Sequence, residues 1–184
     1  MTKKKVVKLL SEAACDLKIV NVYMIYNDGY YNLIPLKLSD KLFLAFNEDD
    51  FIFDGFRIFR FKDVKKVRIK NDKCDAIVRS EGLLNDIHIP DINLENWQAV
   101  FECLKKIGKN IIVKYETKEG KDDNLTIGKI DCIHKNCLFM YHFDADGVWE
   151  HEPYRIPFTE VTSVTLESRY VNIFTKYLSQ APTA

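Results

Sequence analysis

The most metal-like arrangement in the sequence is Cys132-x-His134-x-x-Cys137, with His142 and His151 further on. Zinc asks for four converging ligands, usually including two closely spaced cysteines. Here four residues separate the cysteines and no second pair completes a set, so thiols packed across a hairpin are expected rather than a metal site. Acid–base chemistry would need carboxylates paired in a pocket. The acids instead gather in turn-like clusters, Glu48-Asp49-Asp50, Asp122-Asp123 and Asp144-x-Asp146-Gly147, where such side chains cap their own backbone and face solvent. The last begins like a calcium loop but lacks the glutamate at position 12 that would complete it. No G-x-S-x-G elbow occurs, no cysteine stands beside a histidine in a catalytic setting, and the seven glycines form no phosphate-cradling loop. Neither a catalytic residue nor a cofactor is expected.

The basic residues are better organised. Arg57, Arg60, Lys62, Lys65, Lys66, Arg68 and Lys70 fall within fourteen positions, against the single acid Asp63. Lys66, Arg68 and Lys70 alternate with Val67 and Ile69, which sends three charges from one face of a strand. Arg57, Lys62, Lys66, Arg68 and Lys70 are therefore the candidate contacts for a nucleic-acid backbone or another partner. A charged outer face also suppresses unwanted strand pairing. Nearby, Phe51, Phe53, Phe56, Phe59 and Phe61 exceed what one small barrel can hold, so some should pack on a helix, a second barrel or a partner.

These residues sit in a chain of 184 residues with 27 basic and 27 acidic side chains, 47% hydrophobic and 29% charged. That balance is globular, and zero formal charge argues against a strongly basic nucleic-acid binder. No apolar run approaches the ~20 residues of a membrane-spanning helix. The lysines at positions 3 to 5 are followed by Lys8 and Glu12, which break a signal-peptide core. Five cysteines without framework spacing fit reduced thiols, and a cytoplasmic location is expected.

Residues 3–14 carry Val6, Val7, Leu10 and Ala14 at helical spacing. Strand signals follow: IVNVYMIY, the turn Asn27-Asp28-Gly29, YYNLIPLK, Lys41–Phe46, FIFDGFRIFRF, a short turn at Phe61–Val64, and Lys66–Lys70. Five strands with short links predict a small closed barrel. A second helix over residues 93–107, capped by Asp91 or Asn93 and closed by Gly108, precedes strands at Ile111–Tyr115, Leu125–Cys132, Cys137–Phe143 and Trp149–Ile156, with a polar turn at Lys118–Asn124. A last helix is expected over Arg169–Gln180.

The second half repeats the first. Arg60–Ile69 aligns with Pro157–Leu166 at an offset of 97, and Phe56-Arg57-Ile58 aligns with Tyr154-Arg155-Ile156 at 98, a one-residue slip that a bulge would absorb. The expected fold is mainly β: two tandem SH3-like or Sm-like barrels related by internal duplication, over residues 1–80 and 93–184 with a connector at 81–92. The phrase Asp54-Gly55-Phe56-Arg57-Ile58 with Asp63-Val64, and its counterpart Pro153-Tyr154-Arg155-Ile156 with Glu160-Val161 and Ser168-Arg169-Tyr170, resembles a group of uncharacterised bacterial proteins of the Firmicutes type with tandem Sm-like or SH3-like barrels. That resemblance implies the fold and places no function on particular residues. The expected role is a non-catalytic interaction or accessory protein with a protein partner, itself or another. RNA binding through the basic face of the first barrel is the alternative, and a small enzyme with an unrecognised site the third reading.

Overall fold

The computed structural model describes residues 1–26, 28–85, 87–116 and 123–179, in two units, Met1–Asp91 and Ile92–Ala184. The first unit begins with α1 (Lys3–Cys15), whose opening amide at Lys5 donates to the Thr2 hydroxyl. Val6, Leu10 and Ala13 form its buried stripe. β1 (Val20–Met24), β2 (Tyr31–Leu38), β3 (Leu42–Asp49) and β4 (Ile52–Arg60) then run as an antiparallel meander. A 3₁₀ turn, Phe61–Asp63, leads into β5 (Val64–Ile69), which returns to pair with β1. α2 (Lys73–Ser80), capped by Asp72, follows. It falls where no helix is expected from the sequence, because its eight residues bury only Val78.

The second unit has the same order of elements: α3 (Trp97–Ile107), β6 (Ile111–Glu116), β7 (Asp123–Ile133), β8 (Cys137–His142), β9 (Tyr154–Pro157), β10 (Val161–Leu166) and α4 (Arg169–Thr175). Asn96, rather than Asp91 or Asn93, caps α3, and Gly108 closes it with φ 72°. β9 is shorter than the expected Trp149–Ile156 extension; Trp149 makes only an isolated bridge to Phe143. Asn27, residues 118–122 of the expected Lys118–Asn124 turn and the last residues of the chain lie outside the described residues, while Asp123 and Asn124 already belong to β7.

Strand order in the first unit is β5-β1-β2-β3-β4 and in the second β10-β6-β7-β8-β9. The register repeats as well. Val22 stands opposite Val67 on β5, and Val113 opposite Val164 on β10. Lys65 is skipped in the first ladder and Thr162 in the second, so both fifth strands bulge at the same place. Leu36 and Asp131 are likewise skipped at matching positions of β2 and β7. Isolated backbone bonds agree: the Ser39 amide donates to Leu42 and that of His134 to Cys137; the Phe61 amide donates to Lys41 and that of Phe158 to Asn136; the Ile25 amide donates to Asp63 and that of Glu116 to Glu160.

Two expectations are corrected. The sheets are open, since β4 does not hydrogen-bond to β5 nor β9 to β10. In the first unit α1 completes the core: Val6, Leu10 and Ala13 join Val22, Phe43, Phe59, Phe61 and Val67. Rings and a helix together take more room than a closed five-stranded barrel encloses. The one-residue slip between the halves is also absent. Phe59 faces Phe43 and Ile156 faces Leu138, so Ile156 corresponds to Phe59, and Arg57 to Tyr154, at the same offset of 97.

The excess phenylalanines divide between the faces of the first sheet. Phe43, Phe59 and Phe61 stack on the α1 side, with Phe43 centroids 5.5 and 5.1 Å from the other two. Phe46 and Phe53, 5.2 Å apart, pack on the opposite side with Ile19, Ile34 and Val78 of α2. Phe51 alone among the five is substantially exposed.

Candidate functional site

The metal-like cluster does not assemble. Cys132 Sγ lies 3.6 Å from His134 Nε2, whose ring meets the edge of Phe139. Cys137 is buried, and His142 Nδ1 lies 3.1 Å from the backbone N and O of Ile127. Among the described residues no three His, Cys, Asp or Glu side chains converge as metal ligands. Burial, with Asp131 beside it, pushes the Cys132 thiol above its ordinary range. Asp144 spends its carboxylate on its own turn, accepting from the amides of Asp146 and Val148.

One acid departs from the solvent-facing expectation. Glu48 is buried; its Oε1 accepts from the Phe51 amide at 3.0 Å, and its Oε2 lies 3.8 Å from Lys70 Nζ. Asp50 and Phe51, both with positive φ, form the tight turn that aims this amide inward. Burial pulls Lys70 down, but Glu48, Cys74 and Asp72 outweigh it and hold the ammonium above its ordinary value.

The five candidate contacts therefore separate. Arg57 shares the parity of Phe59 on β4 and turns toward the core side, its guanidinium 5.0 Å from the Tyr31 ring centroid and its Nε buried without a hydrogen bond. Burial lowers its pKa against the opposing pull of Tyr31 and Asp54. Lys70 is engaged with Glu48 and Asp72. Lys62, Lys66 and Arg68 remain exposed, Lys62 on the 3₁₀ turn and the other two on β5.

Around Lys66 and Arg68 the pairing builds a surface of two rows. Lys66 stands opposite Tyr23, and its Nζ lies 5.3 Å from that ring's centroid. Tyr30, just before β2, continues the row with its ring 5.4 Å from Tyr23. In the second row Arg68 stands opposite Asn21, whose Nδ2 donates to Asn32 Oδ1 of β2. Met1, Tyr23, Asp28, Lys65 and Lys66 line a groove of about 490 Å³ at one end of this face. The tyrosines and asparagines are absent from the sequence-based candidates, although the alternation Val20-Asn21-Val22-Tyr23-Met24 places Asn21 and Tyr23 opposite the core side.

The second unit treats the same face differently. At the places of Asn21 and Asn32 in the register stand Ile112 and Ile127, which pack with Val171 and Phe174 of α4. At the places of Lys65, Lys66 and Arg68 stand Thr162, Ser163 and Thr165, all buried. Its described groove, about 360 Å³, lies instead near Gly108, Asn110, Lys129 and Trp149.

No protein-family model, curated protein or solved structure matches this chain. Among the described residues no helix is long and apolar enough to cross a membrane.

Proposed function

We propose that the chain is a non-catalytic cytoplasmic binding protein made of two copies of an SH3-like or Sm-like unit, the first of which carries the contact surface. The observation that carries the reading is the contrast between equivalent faces. With strand order, register and two bulges repeated, the second unit fills its outer face with Ile112 and Ile127 under α4, whereas the first leaves Tyr23, Tyr30, Lys66 and Arg68 toward solvent. A face that needed only solvation would carry mixed short polar groups; paired rings beside cations are the composition of recognition surfaces. The repeated register supports duplication of one ancestral unit, in line with the bacterial tandem-barrel proteins that the sequence resembles. Five unpaired cysteines support a reducing compartment.

The test is retention of cellular components on immobilised full-length protein, compared with the Lys65→Gln/Lys66→Gln/Arg68→Gln variant. A defined component lost with the variant supports the reading. Identical retention by both proteins removes this face as the contact surface.

A further inference from the structure

We infer that the outer face of β1 and β5 binds single-stranded nucleic acid, with a base stacked against the Tyr23–Tyr30 pair and phosphates held by Lys65, Lys66 and Arg68. The inference rests on the reading of this face as the contact surface and names its partner. Single strands are recognised by aromatic platforms beside a cationic track, because every base has a π-face and every linkage a charge. Both parts are present and aligned across the ladder. The exposed Tyr30 ring, tilted 50° to Tyr23, offers the platform. Lys66 and Arg68, two positions apart on β5, stand about 6.6 Å from each other along the strand and face the tyrosine and asparagine rows respectively.

The bond between the half-buried Asn21 and Asn32 leaves one amide oxygen and one amide nitrogen outside it, suited to a base edge. Asp28 is the acid lining the groove, beside Lys65 and Lys66, and it disfavours a partner that fills the groove with negative charge alone. A duplex presents mostly phosphate and keeps its bases stacked inside, so it cannot use the tyrosines. An acidic protein would meet the same cations, but the exposed Tyr30 ring favours the flat face of a base. The corresponding strand pair of the second unit has Lys114 where the first has Tyr23, and uncharged buried residues on β10. The activity is therefore assigned to the first unit alone.

The experiment is fluorescence anisotropy of full-length protein with a labelled oligouridine about 12 nucleotides long, and with oligothymidine, at low salt. Binding should weaken with a log–log salt slope of about −2 if three phosphates are neutralised. Lys65→Gln/Lys66→Gln/Arg68→Gln should abolish it. Tyr30→Ala should weaken it about tenfold while Tyr30→Phe retains it. A charge-matched control, Lys41→Gln/Lys129→Gln/Lys135→Gln, should leave it within about twofold, all three lysines being exposed elsewhere. Hydrogen exchange over β1 and β5 verifies that each variant keeps its fold. No binding by the wild type, equal loss with the control, equal competition by duplex, or indifference to Tyr30→Ala would each overturn the inference. If a protein is retained through Lys65, Lys66 and Arg68 while no oligonucleotide binds, the inference fails and the contact-surface reading survives; if neither depends on this face, both fail.

Discussion

Replacing Gly128 by alanine should damage the second unit far more than the same change at Gly108, although both glycines have positive φ. Gly128 lies in β7 between β6 and β8, opposite Ile111 on one side and His142 on the other. A Cβ added there, at φ 153°, would stand 1.9 Å from the Tyr141 carbonyl oxygen, a contact that real Cβ atoms do not make below 3.0 Å, and 3.2 Å from the Trp149 ring. The strand would have to retreat by about 1 Å while held by ladders on both sides. At Gly108 the added carbon meets nothing within 4 Å, so only the left-handed conformation (φ 72°) is penalised. That penalty is about 1 kcal/mol, whereas overlap with backbone in a central strand adds at least about 2 kcal/mol more.

Both tryptophans, Trp97 and Trp149, belong to the second unit, so urea denaturation followed by tryptophan fluorescence reads that unit directly. With a urea slope of about 1.5 kcal/mol/M, the Gly108→Ala midpoint should fall by about 0.7 M and the Gly128→Ala midpoint by about 2 M. Loss of a cooperative transition in Gly128→Ala is the extreme of the same result. Midpoints within about 0.3 M of each other would refute the claim that backbone overlap, rather than φ, makes Gly128 indispensable.

Lys70→Met should destabilise the first unit by about 3 kcal/mol, because Glu48 would be left buried with its charge uncompensated, while Glu48→Leu/Lys70→Met should return most of that loss; hydrogen exchange over β3 and β5 reads both. The raised Lys70 pKa means that its contribution is complete below the ordinary value of 10.5 and is lost as pH rises through the folded value, so wild type but not Lys70→Met should show this alkaline loss. Asp63 has the opposite sign from the usual carboxylate: burial raises its pKa above 3.8 against its bond from Arg60. Its protonation therefore adds stability as pH falls through the window between 3.8 and the raised value, and Asp63→Asn should remove this gain from an acid titration of the first unit. Cys132 should be alkylated more slowly at neutral pH than the exposed Cys15, and Asp131→Asn should speed it, as read by peptide mass spectrometry.

Where a local rule acts alone, sequence and structure agree. Val67 and Ile69 alternate with charged neighbours and form β5; Gly108 follows an amphipathic run and closes α3. Several errors arise where partners distant in sequence decide the outcome. The resemblance of Phe56-Arg57-Ile58 to Tyr154-Arg155-Ile156 suggests one register, but pairing with β3 and β8 sets another, because Phe59 stands opposite Phe43 where Ile156 stands opposite Leu138. Arg57 belongs to a basic run and would be taken as exposed; strand parity with Phe59 turns it toward Tyr31. Glu48 lies in an acidic run, and the strained turn at Asp50 and Phe51 carries it inside instead. α2 escapes notice because a helix with one buried side chain leaves almost no period to read.

The candidate site is harder to see than the fold for a related reason. Its basic half lies on one stretch of sequence, whereas Tyr23, Tyr30, Asn21 and Asn32 come from other strands and join Lys66 and Arg68 only when β1 is paired on both sides. Charge density along the chain alone would have kept Arg57 and Lys70, which the folded unit uses for its own packing and ion pairing. What separates a surface cation from a structural one is the face of the strand and the identity of its cross-strand neighbour. By that criterion Lys66, opposite a tyrosine, and Arg68, opposite an asparagine, form a common surface with them, and the matching positions in the second unit, Ser163 and Thr165, do not. Two units can thus share strand order, bulges and isolated backbone bonds while differing in the chemistry of their outer faces, because the shared ladder leaves the outward-facing residues free to vary.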